Sequence, residues 1–169
     1  MKKYLLILVV PSLLLSAECI IDYKMMWSIA DNEHHKKRAV GYPYLISFNK
    51  KSDRHKLKPE HKKLLLDNRT LDCKSQGLCT EIASYMITQK KVTNMDMGPF
   101  QVCYKFHDKN MALRSFFSLK ESFVYAKRFA QSLVNRHGCS WQALARYHSA
   151  TKKHNTRYVK DLKHAYYNN

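Results

Sequence analysis

Met25-Met26-Trp27-Ser28-Ile29-Ala30-Asp31-Asn32-Glu33 is the stretch whose reading decides the fold. Met25, Met26, Ile29 and Ala30 recur at helical spacing, so one stripe of the segment is apolar. Glu33 follows Ile29 by four residues and Ala30 by three. It therefore projects from the side of the buried stripe, at its end. Burial takes hydration from a carboxylate and favours the protonated form. A carboxylic acid that keeps its proton near neutral pH can serve as a general acid. The alternative is a boundary carboxylate that reaches water past the helix end.

The chain has 169 residues, enough for one domain with a sizeable core. Lys2 and Lys3 precede an apolar run from Tyr4 to Leu15, broken by Pro11 and closed by Ser16 and Ala17. A basic start, a short apolar stretch and a small residue at its end describe an export signal over residues 1–17. Residues 18–169 form the expected mature domain, in an oxidising compartment such as the periplasm. Ser16-Ala17-Glu18-Cys19 also resembles a lipoprotein cleavage site, with Glu18 where a small residue belongs. An uncleaved anchor is a further alternative.

Five cysteines follow the signal: Cys19, Cys73, Cys79, Cys103 and Cys139. Cys73 and Cys79 bracket a short loop and are expected partners. Cys103 and Cys139 are a possible second pair, which leaves Cys19 free. The cysteines lack paired C-x2-C spacing, the histidines are scattered and Glu33-His34-His35 is not a zinc-binding H-E-x-x-H, so no metal site is expected. Net charge is +17, and removal of Lys2 and Lys3 leaves about +15. Such a surface attracts polyanions. The basic residues follow no helix-turn-helix, zinc-finger or aromatic-basic RNA pattern, so nucleic acid is not the expected partner. Anionic wall, lipid headgroups or acidic polysaccharide suit an exported chain better.

Gly41 and Pro43 end helical structure after Glu33, and Tyr42 to Asn49 reads as extended. Tyr42 and Tyr44 are candidates for a sugar-binding groove, or simply packing aromatics. Lys50 to Lys58 reads as loop, Pro59 to Leu66 as a short helix, and Asp67 to Cys79 as loop. Thr80 is the expected cap of a helix through Ile87. Asn94, Asp96 and Gln101 fall on an irregular segment around the Gly98-Pro99 turn. Ser118-x-x-Glu121 is a capping box that opens a helix to His137, stopped by Gly138. Ser140 caps a further helix. A last one starts near Asn155 or Thr156, buries Tyr158, Val159 and Leu162, and frays from Tyr166.

Three pieces then stand in a recognisable order. They are Ile29-Ala30-x-x-Glu33; Asn94-x-Asp96-x-Gly98-Pro99-Phe100-Gln101-Val102 with His107 after it; and Trp141-Gln142-Ala143-Leu144-Ala145-Arg146-Tyr147-His148-Ser149 followed by Tyr158. Together they resemble the soluble-lytic-transglycosylase family of the lysozyme-like superfamily, most closely its small members associated with secretion, conjugation and pilus assembly. The sequence departs from that family's pattern at three places. His34 stands where Ser is usual after the acid, Cys103 where Asn is frequent, and Pro99-Phe100 where Leu-Met is usual.

The resemblance implies a mainly α, lysozyme-like single domain of the goose-type kind, with a small extended or β lobe flanking a groove. It implies peptidoglycan glycan strands as substrate and Glu33 as the single catalytic acid and base. Gln101 and Tyr147 would line the groove, Gly98 would let the loop approach the sugar, and Phe100, Tyr44, His148 and Arg146 are further groove candidates. Asp96 would hold the loop. No cofactor is implied. A monomer serving an envelope-spanning assembly, whether for secretion, conjugation, pilus or flagellum, is the expected context. The alternatives are a muramidase that uses Asp53 or Asp96 as a second carboxylate, and a non-catalytic wall-binding or assembly protein. A nucleic-acid binder would rest on net charge alone.

Overall fold

The computed structural model describes residues 19–168, and the expected export signal lies outside them. The first helix, α1, spans Tyr23–Glu33. It starts before the apolar stripe because Asp22 caps it, accepting from the Met25 backbone N–H at 2.7 Å. Met26, Ser28, Ile29 and Ala30 are buried, so the stripe read from the sequence is the face that packs. Its chief partner is α7, Lys152–Asn168, which buries Tyr158, Val159, Leu162 and Ala165.

Between these helices lies a small antiparallel sheet. Its strands are β1 (Leu45–Phe48), β2 (Thr70–Asp72), β3 (Met95–Met97) and β4 (Val102–Cys103), in the order β2-β1-β3-β4. Ile46 pairs with Leu71 on one side and Met97 on the other, and all three are buried. Met26, Ile29, Ile46, Phe48, Ile82 and Leu162 belong to one continuous core shared by sheet and helices.

The remaining helices are α2 (Pro59–Lys62), α3 (Gln76–Thr88), α4 (Tyr104–His107), α5 (Leu119–His137) and α6 (Trp141–Leu144). Short 3-10 turns occupy Lys51–Lys56, Leu113–Phe117 and Ala145–Tyr147. The fold is thus mainly helical with a four-stranded antiparallel sheet, and no helix among the described residues is long and apolar enough to cross a membrane.

Several expectations are met and others corrected. Ser118 caps α5 through the Glu121 N–H, α5 ends at Gly138, and Ser140 caps α6 through the Ala143 N–H. Lys50 to Lys58, expected as loop, contains a 3-10 turn in which Asp53 pairs with Lys56 at 2.8 Å. The helix from Pro59 stops at Lys62 rather than Leu66. The cap of α3 is Ser75, not Thr80. Its side chain accepts from the Leu78 N–H, and Thr80 lies inside the helix with its hydroxyl donating to the Gln76 carbonyl. The helix therefore runs through Gly77, which reads as a loop signal in the sequence. The segments expected to be irregular before Cys73 and around Asp96 contain β2 and β3, because β1 pairs with both. The last helix begins at Lys152 and continues past Tyr166.

Cys73 and Cys79 are bonded, as expected. The second disulfide is Cys19–Cys139, not Cys103–Cys139, and Cys103 is the free thiol among the described residues. The reason is placement. Cys103 ends β4 on the sheet, whereas Cys139 lies between α5 and α6. The segment before α1 is drawn to α5 by Gln131, whose side chain accepts from the Ile21 N–H and donates to the Cys19 carbonyl.

Candidate functional site

A cleft of about 700 Å³ lies between the sheet and the helices. Glu33, at the C-terminal end of α1, lines it with its side chain 12% exposed. Tyr158 reaches across from α7 and donates its hydroxyl to Glu33 Oε1 at 2.7 Å. His148 Nδ1 lies 3.3 Å from the same oxygen, and its ring stacks on Tyr158 with centroids 4.7 Å apart. Both contacts therefore converge on Oε1. The hydrogen bond to Glu33 raises the His148 pKa above its ordinary 6.5, against the opposing effect of burial. Burial, and then the Glu33 charge, hold the Tyr158 hydroxyl well above its ordinary range, so it stays a donor.

The turn after β3 supplies Gln101, which lines the cleft with φ +43° and donates its side-chain amide to the Gly98 carbonyl at 2.8 Å. Tyr147 lines it from the helical side, and its hydroxyl donates to the Phe100 carbonyl at 2.9 Å. That bond joins the turn to the segment that carries His148. Arg146 and His107 also line the cleft, with His107 Nδ1 2.6 Å from the Tyr125 hydroxyl. Burial lowers the His107 pKa, which favours the neutral ring.

The sheet wall is a polar cluster. Asn49 donates to Asp96 Oδ1 at 2.9 Å and to Asn94 Oδ1 at 3.1 Å, and Arg69 Nη2 donates to Asn49 Oδ1 at 3.4 Å. Burial pushes the Asp96 carboxyl up, with the Glu33 charge adding to it and Asn49 opposing. Cys103 lines this wall, and burial pushes its thiol up to about 12. It is a protonated wall residue rather than a nucleophile.

Four expected groove residues, Tyr42, Tyr44, Gly98 and Phe100, are elsewhere. Tyr44 is half-buried against the core, edge-on to Tyr42 at 5.4 Å, and Tyr42 donates to Asp72. Both tyrosines are packing and anchoring residues outside the cleft. The Phe100 side chain is buried and lines a different, apolar groove with Trp27 and Phe123. Gly98 has φ +76°, and a Cβ there would lie 1.8 Å from the Phe116 carbonyl oxygen. Its close approach is to that backbone rather than to the cleft. Asp53, expected as a possible second carboxylate, is held by Lys56 outside the cleft.

Sequence reading placed Tyr158 after the third motif and on the buried side of the last helix, but gave it no role at the acid, where it bonds Glu33. Its position after the Tyr147-His148 motif was the available signal. Asn49, the last residue of the extended segment, and Arg69 were given no role, since only sheet pairing brings them to the cleft.

His34, the departure beside the acid, turns its Nδ1 to the Asp31 carbonyl at the end of α1. Among the described residues no group of His, Cys, Asp and Glu is arranged to hold a metal. What fold and site define is a mainly helical domain with a cleft lined by two hydrogen-bonded carboxyl groups, Glu33 and Asp96. Compared with known proteins, the chain matches no family model, no curated protein and no solved structure.

Proposed function

We propose that this chain is a peptidoglycan lytic transglycosylase of the soluble-lytic-transglycosylase family, built on a lysozyme-like fold. The observation that carries the reading is the convergence on one cleft of Glu33, Gln101 and Tyr147 from three distant parts of the chain. In the proposed reaction, protonated Glu33 gives its proton to the glycosidic oxygen between MurNAc and GlcNAc as the bond from that oxygen to C1 breaks. The Glu33 carboxylate then takes the proton of the MurNAc C6 hydroxyl while O6 bonds to C1. The product is a 1,6-anhydro end, no water enters, and Glu33 finishes protonated. One carboxyl group suffices because the nucleophile belongs to the substrate, unlike the two-carboxylate hydrolases. Tyr158 and His148, both on Oε1, fix the carboxyl plane and leave Oε2 free of those two contacts.

No cofactor takes part. The proposed setting is the periplasm, with a monomer opening glycan strands for an envelope-spanning assembly and no nucleic-acid partner. The second reading is a muramidase, favoured by the presence of Asp96 in the same cleft. Asp96 Oδ1 is already engaged by Asn49 on the sheet wall, which ranks that reading below the first.

Mass spectrometry of purified peptidoglycan digested by wild type and Glu33→Gln separates these readings. The expected result is anhydro-muropeptides from wild type and a loss of at least about 100-fold in the variant. Products one water heavier would replace the transglycosylase with a hydrolase. No release by either protein would leave a binding protein.

A further inference from the structure

The outer face of α7 takes no part in the cleft chemistry. Lys153, Arg157, Lys160, Lys163 and Tyr167 are all exposed and follow one another at intervals of three or four residues, so they share one side of the helix. The one acidic residue of α7, Asp161, is 3.9 Å from Arg157. The stripe ends in aromatic side chains. Trp141 meets Tyr166 edge-on at 5.2 Å, Tyr166 meets Tyr167 at 5.2 Å, and Lys24 lies 5.1 Å from the Tyr166 ring centre. Tyr167 is 68% exposed. Beside them a hollow of about 270 Å³ is lined by Ile21, Met25 and the Cys19–Cys139 disulfide. Ile20, in the segment tied down by that disulfide, is 64% exposed.

Cations next to exposed apolar and aromatic groups match a bilayer interface, where anionic headgroups adjoin acyl chains. A polar wall polymer would satisfy the cations but leave Ile20 and Tyr167 in water. We propose that the outer face of α7, with the aromatic end it shares with α6 and the Cys19–Ile21 segment, docks on an anionic lipid bilayer. The cleft would then work on substrate while the molecule rests on the membrane surface. The proposal is independent of the reaction assigned to the cleft.

The test is co-sedimentation of the exported protein, its N-terminus read by intact mass, with phosphatidylglycerol and with phosphatidylcholine vesicles. An apolar leader would act on both lipids, so the difference between them reads the headgroup contribution. The expected result is salt-sensitive preference for phosphatidylglycerol. It should be weakened roughly tenfold or more by Lys160→Glu with Lys163→Glu, and also weakened by Tyr167→Ser. The same charge change at the C-terminal end of α2, Lys62→Glu with Lys63→Glu, should alter it by less than about threefold. All of these side chains except Tyr167 are exposed lysines, and circular dichroism melts verify that each variant folds. Equal losses in the two double variants would overturn the proposal in favour of net charge alone. Equal binding to both lipids, or retention only on isolated sacculi, would overturn it as well.

Discussion

Glu33 takes its place from local sequence and its partners from elsewhere. Helical spacing from Ile29 puts it at the end of the buried stripe, as expected. Tyr158 and His148, which touch it, arrive from residues more than a hundred positions away. The His148–Glu33 contact makes a measurable prediction. His148 titrates above 6.5 because Glu33 favours its charged form, so the contact is fully formed below 6.5 and is lost as pH rises through the raised value. An NMR titration of the His148 imidazole should therefore show a midpoint above 6.5 in wild type and a downward shift in Glu33→Gln. Because the His148 side chain is 49% exposed, its contribution to stability should be small. An unchanged midpoint in the variant would remove Glu33 as the cause.

At the scale of elements, the β3–β4 turn shows how one residue ties the sheet to the helices. The Gly98 N–H donates to the Leu45 carbonyl at 3.0 Å, and its Cα lies against the Phe116 backbone. Gly98→Ala would require both a positive φ and the displacement of that backbone. It should cost about 3 kcal/mol or more in a denaturant titration. A variant as stable as wild type would show that the turn can move away from Phe116. Asp72, at the end of β2, performs a related anchoring role. Burial opposes its charge, but Lys74, Arg38 and Tyr42 overcome that and bring its carboxyl down to about 2. This cluster holds the Arg38–Tyr42 segment to the sheet, and it occupies the tyrosine that the sequence offered to the groove.

For the whole molecule, the long-range closure is the Cys19–Cys139 bond, which spans 120 residues. It fixes the chain entering α1 to the junction of α5 and α6. Cys139→Ser should lower unfolding free energy by about 3–5 kcal/mol, read from the denaturation midpoint. It should leave Cys103 without a new partner, since Cys103 lies on the sheet wall of the cleft. If a Cys19–Cys103 bond formed instead, the separation of these regions would be wrong. The charge of the molecule also acts at this scale: its positive residues leave α7 with one acidic side chain, and the same end carries the exposed aromatics.

The sequence by itself determined the features that depend on neighbours a few residues apart. These are the apolar face of α1, the caps at Ser118 and Ser140, the stop at Gly138, the extended segment at β1 and the Cys73–Cys79 bond. It also singled out Glu33, Gln101, Arg146, Tyr147 and His148, which line one cleft. Only the tertiary structure decided which cysteine meets Cys139, that Asp96 belongs to a strand, and that Tyr44 and Phe100 face away from the cleft. It alone brought Asn49 and Arg69 to the cleft wall and Tyr158 to Glu33. Each of these follows from strand pairing or helix packing between residues far apart in the chain. Local propensity and spacing fix the backbone periods, but which distant faces meet is set by the shared burial of the core.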